Sequence, residues 1–358
     1  MNQDSYRKLA QHLDKLPNGF PATEQGIELS ILRYLFDPDE AELAIHLRLT
    51  LETAEVIAQR VNQPVADVAT KLQIMSRKGL IFSIETKDRP PVYMAAQFVP
   101  GIWEHNVNNL TPQFVRDVET YMPKLAETAL NALPPLRTIP IGRSLSAAAE
   151  VLPYESAEEL IRKQQIILVA PCICRREHQV KGDSCGKLEE ACLVFSWGAK
   201  YYQRNKLGRI ISQDEAIAIL QQAEKEGLVV QPSNSQDIVS ICLCCGDCCM
   251  SLLGLKRLSS PAANVVSPFI ANLNQDACIA CGLCVDRCQM GAMNLKEDKA
   301  ALDVDRCIGC GLCVTTCSGE ALSLKRKSEQ PQVPKNINEA NAMRAKIRAE
   351  LQAKIARH

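Results

Sequence analysis

The stretch CIACGLCVDRCQMGAMNL at residues 278–295 returns 29 residues later as CIGCGLCVTTCSGEALSL at residues 307–324. Ten of the eighteen aligned positions are identical, and all four cysteines are among them. Both copies have the spacing C-x2-C-x2-C-x3-C. Three cysteines at intervals of three in a loop can converge on one inorganic centre. Gly282 and Gly311, each following the second cysteine of its copy, permit the close backbone approach such a loop needs. Backbone N–H groups around the loop can then hydrogen-bond sulfur and tune the centre. A ligand pattern written twice asks the chain for two related half-sites.

The chain holds 17 cysteines in 358 residues. An odd count is awkward for a closed set of disulfides. Residues 1–30 show no basic-then-apolar leader, since MNQDSYRKLAQHLDKL reads as an amphipathic helix. No apolar run reaches the ~18–20 residues of a membrane span. The expectation is a cytoplasmic chain without a membrane span, whose cysteines serve as metal ligands. At roughly 100–200 residues per domain the length suggests two or three domains. The formal net charge is zero, so the molecule as a whole gives no electrostatic pointer to nucleic acid or membrane.

Residues 1–100 contain no cysteine. Helices are expected over Asp4–Leu16, Glu28–Phe36 and Pro38–Leu49. Thr53 can cap a further helix. Asn62-Gln63-Pro64 makes a turn, and Pro64 suits the first position of a helix carrying Val65, Val68, Leu72 and Met75 at helical spacing. Gly79 ends that helix. LIFSIE alternates like a strand, KDRPP turns and VYMAAQF returns. Residues 26–98 thus resemble a winged helix. Winged helices often bind DNA, but residues 1–100 carry eleven Lys and Arg against thirteen Asp and Glu. Phosphate neutralisation therefore has little to work with. DNA is a disfavoured partner, and a structural or protein-docking role is the reading adopted.

Residues 101–136 read as a helical connector. Residues 137–258 read as a Cys-rich mixed α/β domain. In it RTIPI, QIILVAP, LVVQ and DIVSIC are expected as strands, SAEELIRKQ and Ser212–Glu226 as helices, and Ser212 with Glu215 as a capping box. ACLVFSWGAKYY could line a pocket, although Trp197, Tyr201 and Tyr202 suit core packing better. Residues 259–325 hold the repeat. Residues 326–358 form a polar linker and a basic helix, read as a solvated or lightly docked tail. From residue 325 onward there are nine Lys and Arg against three Asp and Glu.

The repeated spacing resembles the two-cluster bacterial ferredoxin family over about residues 270–325. That resemblance implies two 4Fe-4S clusters built from interlocked half-sites. Cys278, Cys281, Cys284 and Cys317 would hold the first, and Cys307, Cys310, Cys313 and Cys288 the second. It also implies electron exchange with a redox partner protein. The family's Pro after the fourth cysteine is Gln289 in one copy and Ser318 in the other. Its absence puts solvent access and potential in question more than cluster assembly. As a whole the chain resembles iron–sulfur proteins of anaerobes that join a winged-helix-like region to such a module.

Nine cysteines lie upstream: Cys172, Cys174, Cys185 and Cys192, then Cys242, Cys244, Cys245, Cys248 and Cys249. Each group follows an expected buried strand, and strand ends side by side in one sheet would bring the groups together. A helix starting at Gly246 would gather Cys245, Cys248 and Cys249 near its positive end. Nine thiols suggest a third metal site using some of them. A further 4Fe-4S cluster is the first choice, and zinc with His178 beside Cys172, Cys174 and Cys185 is the second. Arg175 and Arg176 could balance a negative cluster or form surface ion pairs. Cys244-Cys245-Gly246 resembles the CCG motif of heterodisulfide-reductase-type subunits but lacks that motif's spacings.

The sequence therefore describes a multidomain α+β chain. It reads as an iron–sulfur electron-transfer protein or oxidoreductase component, with no catalytic residue singled out. A redox-sensing winged-helix regulator and a reductase with its substrate at the central cysteines are the alternatives.

Overall fold

A computed structural model describes residues 2–130, 132–145 and 151–355. The last three residues of the expected C-terminal helix fall outside it. The chain is built of helices and short strands in four segments, a mixed α+β composition.

The first segment runs α1 (Asn2–Lys15), α2 (Ile27–Leu35), α3 (Pro38–Ala44), β1 (Glu52–Thr53), α4 (Ala54–Val61), α5 (Val65–Arg77), β2 (Ile81–Ile84) and β3 (Val92–Ala95). The third helix stops at Ala44, five residues before the expected end. The strands form one antiparallel sheet in the order β1-β3-β2. Ile57 and Ala58 of α4 and Val68, Leu72 and Met75 of α5 turn inward. Asn62 takes a left-handed conformation between the two helices.

All three basic residues at α5 meet carboxylates. Lys71 faces Asp39 at 3.5 Å, Arg77 faces Glu85 at 3.1 Å, and Lys78 faces Glu40 at 2.6 Å and Asp37 at 3.3 Å. The single turn α6 (Trp103–His105) then packs beneath Gly79, where a Cβ would stand 2.8 Å from the His105 Cβ. The long helix α7 (Pro112–Leu130) follows, with Pro123 inside it.

The expected strand at 137–141 does not form. Its backbone bonds go to three segments instead: Arg137 and Ile139 N–H donate to Pro232 and Val230, Thr138 to Val266, and Ile141 to Cys310. A chain whose donors are shared among different neighbours makes no ladder. The central segment continues with α8 (Ala157–Arg162), β4 (Ile167–Pro171), α9 (Ile173–Lys181), β5 (Glu190–Phe195), α10 (Ser196–Arg204), β6 (Arg209–Ile211), α11 (Gln213–Lys225), β7 (Val229–Pro232), β8 (Ser240–Cys244) and α12 (Met250–Lys256). Ser212 caps α11 by accepting from the Glu215 N–H at 3.1 Å.

The five strands lie in the order β6-β4-β5-β8-β7, and every neighbouring pair is antiparallel. The mixed α/β expectation is thus corrected to an antiparallel sheet with helices. ACLVF lies within its middle strand β5. Tyr201 and Tyr202 are core, as their size suggests, but Trp197 is exposed beneath Lys200.

The third segment pairs β9 (Phe269–Leu273) with β12 (Leu322–Arg326). Between them lie α13 (Leu283–Arg287) and the hairpin of β10 (Met293–Lys296) and β11 (Lys299–Leu302). The final helix α14 (Ile337–Ile355) is docked, not solvated. Arg344 is buried and its Nε donates to the Leu133 carbonyl at 2.7 Å. Arg348 reaches the Asp14 and Leu16 carbonyls at 2.7 and 2.5 Å. Basic residues close backbone carbonyls here, which charge counting alone does not reveal. Among the described residues no helix is long and apolar enough to cross a membrane.

The β2–β3 hairpin rests on the central segment. The Tyr201 hydroxyl donates to the Ser76 and Ile81 carbonyls at 3.1 and 2.9 Å, and its ring packs on Phe82. Removing a buried donor costs about 1–2 kcal/mol when its acceptors lose their partner. Tyr201→Phe should therefore lower stability by about that amount. It should also speed amide exchange in β2 and β3 while visible iron–sulfur absorbance stays unchanged.

Candidate metal centres

The two repeat copies fold into matching halves. Positive φ recurs at equivalent positions: Ala280 and Gly309, Gly282 and Gly311, Gly291 and Glu320. The hydrogen bonds match as well. Cys278 Sγ accepts from Ala280 N–H at 3.5 Å and from Ala300 N–H on β11 at 3.3 Å. Cys307 Sγ accepts from Ala271 N–H on β9 at 3.4 Å. The fourth cysteines, Cys288 and Cys317, accept from Ala292 and Ala321 N–H at 3.1 and 3.2 Å. N–H groups aimed at sulfur favour thiolate over thiol, and those from Ala300 and Ala280 hold the Cys278 thiol below its ordinary range.

Two cavities lie in this segment. One is lined by Cys278, Cys281, Cys284 and Cys317. The other is lined by Cys288, Cys307, Cys310 and Cys313. Each cavity thus takes three cysteines from one copy and one from the other. Burial pushes the Cys310 thiol up to about 12 and raises Cys313 further. Thiols raised this way need a cation to ionise, and a metal centre supplies one. The residues present therefore suit thiolate-bound clusters.

The cavities differ in surroundings. Cys281 is exposed, and Ile279, Leu283 and Leu295 beside it are 62%, 46% and 47% exposed. The second cavity faces inward. Ile141 N–H donates to the Cys310 carbonyl at 3.1 Å, and Gly311 lies against Ser144. Gln289, next to Cys288, accepts through Oε1 from the Gly246 N–H at 2.6 Å. Lys256 Nζ donates to the Gly246 carbonyl at 2.8 Å, and Arg287 donates to the Glu224 and Lys225 carbonyls. Gln289 is where the sequence departs from Pro, and that departure is the only sequence signal for this contact. Proline has no side-chain acceptor for the Gly246 N–H.

The central cysteines gather because β4 and β8 both run antiparallel to β5 and hence parallel to each other. Their C-terminal ends and the start of β5 share one edge of the sheet. Cys192 and Cys242 stand directly opposite in the β5–β8 register. Cys172 and Cys249 sit at the N-caps of α9 and α12. The helix expected from Gly246 starts at Met250, after a single turn closed by the Cys249 N–H onto the Cys245 carbonyl at 3.1 Å.

The nine thiols do not form one set. Cys172, Cys174, Cys249, Cys244, Cys242 and Cys192 make a chain of neighbouring thiols in that order. Hydrogen bonds from Cys192 and Cys244 draw the Cys242 thiol well down, and those from Cys174 and Cys244 do the same for Cys249. Cys185, Cys245 and Cys248 stand apart, their sulfurs all within 4.8 Å of one another.

Arg175 lies between the sets. It is buried, and its guanidinium donates to the Leu188 and Leu243 carbonyls at 2.6 and 3.0 Å. Arg176 is the surface ion pair, with Glu189 at 2.5 Å. His178 Nδ1 faces Asp183 at 3.0 Å, and Cys185 joins the three-thiol set while Cys172 and Cys174 join the six. The zinc set drawn from those four residues is therefore not assembled.

Residues 267–322 match the family described as 4Fe-4S dicluster domain. The C-terminal region is a ferredoxin-type 4Fe-4S domain. It supports at least one 4Fe-4S cluster and an iron–sulfur electron-transfer role. Searches of curated proteins and of solved structures found no match.

The equivalent glycines of the ferredoxin domain make a paired prediction. Both Gly282 and Gly311 have φ +77°. A Cβ at Gly282 meets only Leu295 Cδ1 at 3.7 Å, whereas one at Gly311 would stand 2.2 Å from Ser144 Oγ. Gly282→Ala should cost about 1–2 kcal/mol, the left-handed penalty alone. Gly311→Ala should cost about 1–3 kcal/mol more from overpacking. Thermal bleaching of the cluster absorbance measures both.

Proposed function

We propose that this chain is an iron–sulfur electron-transfer protein with an outward and an inward 4Fe-4S cluster and a third metal site in the central domain. Cys278, Cys281, Cys284 and Cys317 would hold the outward cluster, and Cys307, Cys310, Cys313 and Cys288 the inward one. When bound, the clusters supply one-electron transfer. The observation that carries the reading is the Gln289–Gly246 hydrogen bond. It joins Cys288 of the inward set to the backbone between Cys245 and Asp247 in the central domain. The bonds of Lys256 and Arg287 brace the same junction.

The outward face suits a redox partner protein. Ile279, Leu283 and Leu295 offer apolar contact around Cys281, and exposed apolar patches mark such surfaces. The inward residues suit passage to the six-thiol chain, which would hold the third centre as a further iron–sulfur cluster.

The helix pair α4–α5 with the β2–β3 hairpin and β1 has the order of a winged helix. Its role here would be structural. The basic residues of α5 are paired with carboxylates and the hairpin strands are seated on Tyr201, which favours packing over phosphate contact as their role. A redox-sensing regulator would need helix and hairpin free to meet DNA.

Anaerobic purification with iron and sulfide quantitation tests the reading. Since each such cluster contributes four irons, the expected content is about twelve irons and sulfides per chain. About eight would leave the central cysteines without a cluster and remove the third site, and about four would remove the second ferredoxin cluster. A gel shift at two redox poises should show no specific DNA complex. A strong redox-dependent complex would establish the regulator instead.

A further inference from the structure

Cys185, Cys245 and Cys248 come from two separate stretches of chain, the loop after α9 and the turn before α12. Cys185 and Cys245 sulfurs are 3.8 Å apart, and all three lie within 4.8 Å of one another. Four thiolates around one zinc at about 2.3 Å stand about 3.8 Å apart along the edges of the tetrahedron. In a cubane each thiolate caps a different iron, so the thiolates stand farther apart. The structure itself draws this distinction. Among the described residues, the three are the only set of His, Cys, Asp or Glu ligands so closely grouped. The eight cysteines of the ferredoxin domain form no such group.

Charge supports the same assignment. Arg175 is 1% exposed, and its Nε has no hydrogen-bond partner. Among the described residues no carboxylate forms an ion pair with it, and the ionisable groups beside it are the thiols Cys172, Cys245 and Cys244. A buried guanidinium without a counter-charge is strongly destabilising. Three thiolates on a divalent ion carry one net negative charge, which Arg175 would balance. The neighbouring carboxylate, Asp247, is tied to Lys187 at 2.7 Å. Cys185 is partly exposed, so solvent reaches that side of the trio.

We propose that Cys185, Cys245 and Cys248 bind a single zinc-class divalent ion, separate from the six-thiol chain, with solvent in the fourth position. The ion would clamp the Cys185 loop onto the turn that carries Gly246. The Lys187–Asp247 ion pair joins the same two stretches. The site is argued from the central thiols alone, so it stands or falls independently of the electron-transfer reading.

The experiment uses the full chain, purified anaerobically, with zinc and iron quantified together. Cobalt(II) supplied during expression serves as the spectroscopic probe. The expected result is about one zinc per chain, or cobalt(II) with tetrahedral thiolate absorption bands. Cys185→Ser and Cys248→Ser should each reduce that metal to background while iron content and the ferredoxin EPR signals stay unchanged. Cys192→Ser, outside the trio, should leave zinc in place. Wild-type protein without zinc or cobalt thiolate bands would overturn the proposal. So would loss of iron in Cys185→Ser, which would place the trio in a cluster, or zinc retained by both trio variants. Should the variants fail to fold, shown by lost ferredoxin EPR signals, the cobalt spectrum of the wild-type chain decides alone.

Discussion

Arg175 carries a positive charge into the central segment, where the ionisable groups beside it are cysteines. Its two Nη groups satisfy backbone carbonyls at the start of β5 and the end of β8. The charge itself is left to the cysteines. The ends of β4 and β8 reach the same edge because each pairs antiparallel with the strand between them. β5 is that strand, and it adds Cys192 to the edge opposite Cys242. Arg175 thus stands between two groups of thiols with different geometry, one extended and one compact.

The ferredoxin domain is attached to that edge in one orientation. Its duplicated halves are nearly equivalent internally, with matching turns and matching N–H bonds to sulfur. Their surroundings are not equivalent. The first four-cysteine site keeps Cys281 in solvent, while the second lies against Ser144 and Ile141 and, through Gln289 beside Cys288, the Gly246 turn. A symmetric module becomes directional when only one of its two sites is covered. Gln289 sits where the two parts meet.

Much of this could be read in the residues, and the rest could not for identifiable reasons. The repeat announced its half-sites, because cysteine spacing and glycine placement act locally. Ser212 and Glu215 likewise marked the start of α11 through a bond spanning three residues. RTIPI looked like a strand, but its donors were claimed by three distant segments. ACLVF does not read as a strand because its neighbours on both sides in the sheet are remote in sequence. The basic tail reads as solvated or lightly docked because nothing local says that Arg344 will meet the Leu133 carbonyl. The division of nine cysteines into six and three depends on where two loops are packed, and spacing does not encode that. Gln289 was visible as an exception to a family pattern, but its partner was not.

The proposed electron route needs the inward site of the ferredoxin domain to be joined to the central cysteines through Gln289 and Gly246. Rapid-freeze EPR on anaerobic protein tests this most directly, following the chain after mixing with a limiting low-potential donor. The comparison is between the wild-type chain and Gln289→Ala. The account predicts that reduced ferredoxin signals form first and then decay as a central signal grows. In the variant they should form as fast but decay more slowly. Equal decay in both proteins, or no central signal in either, would contradict it.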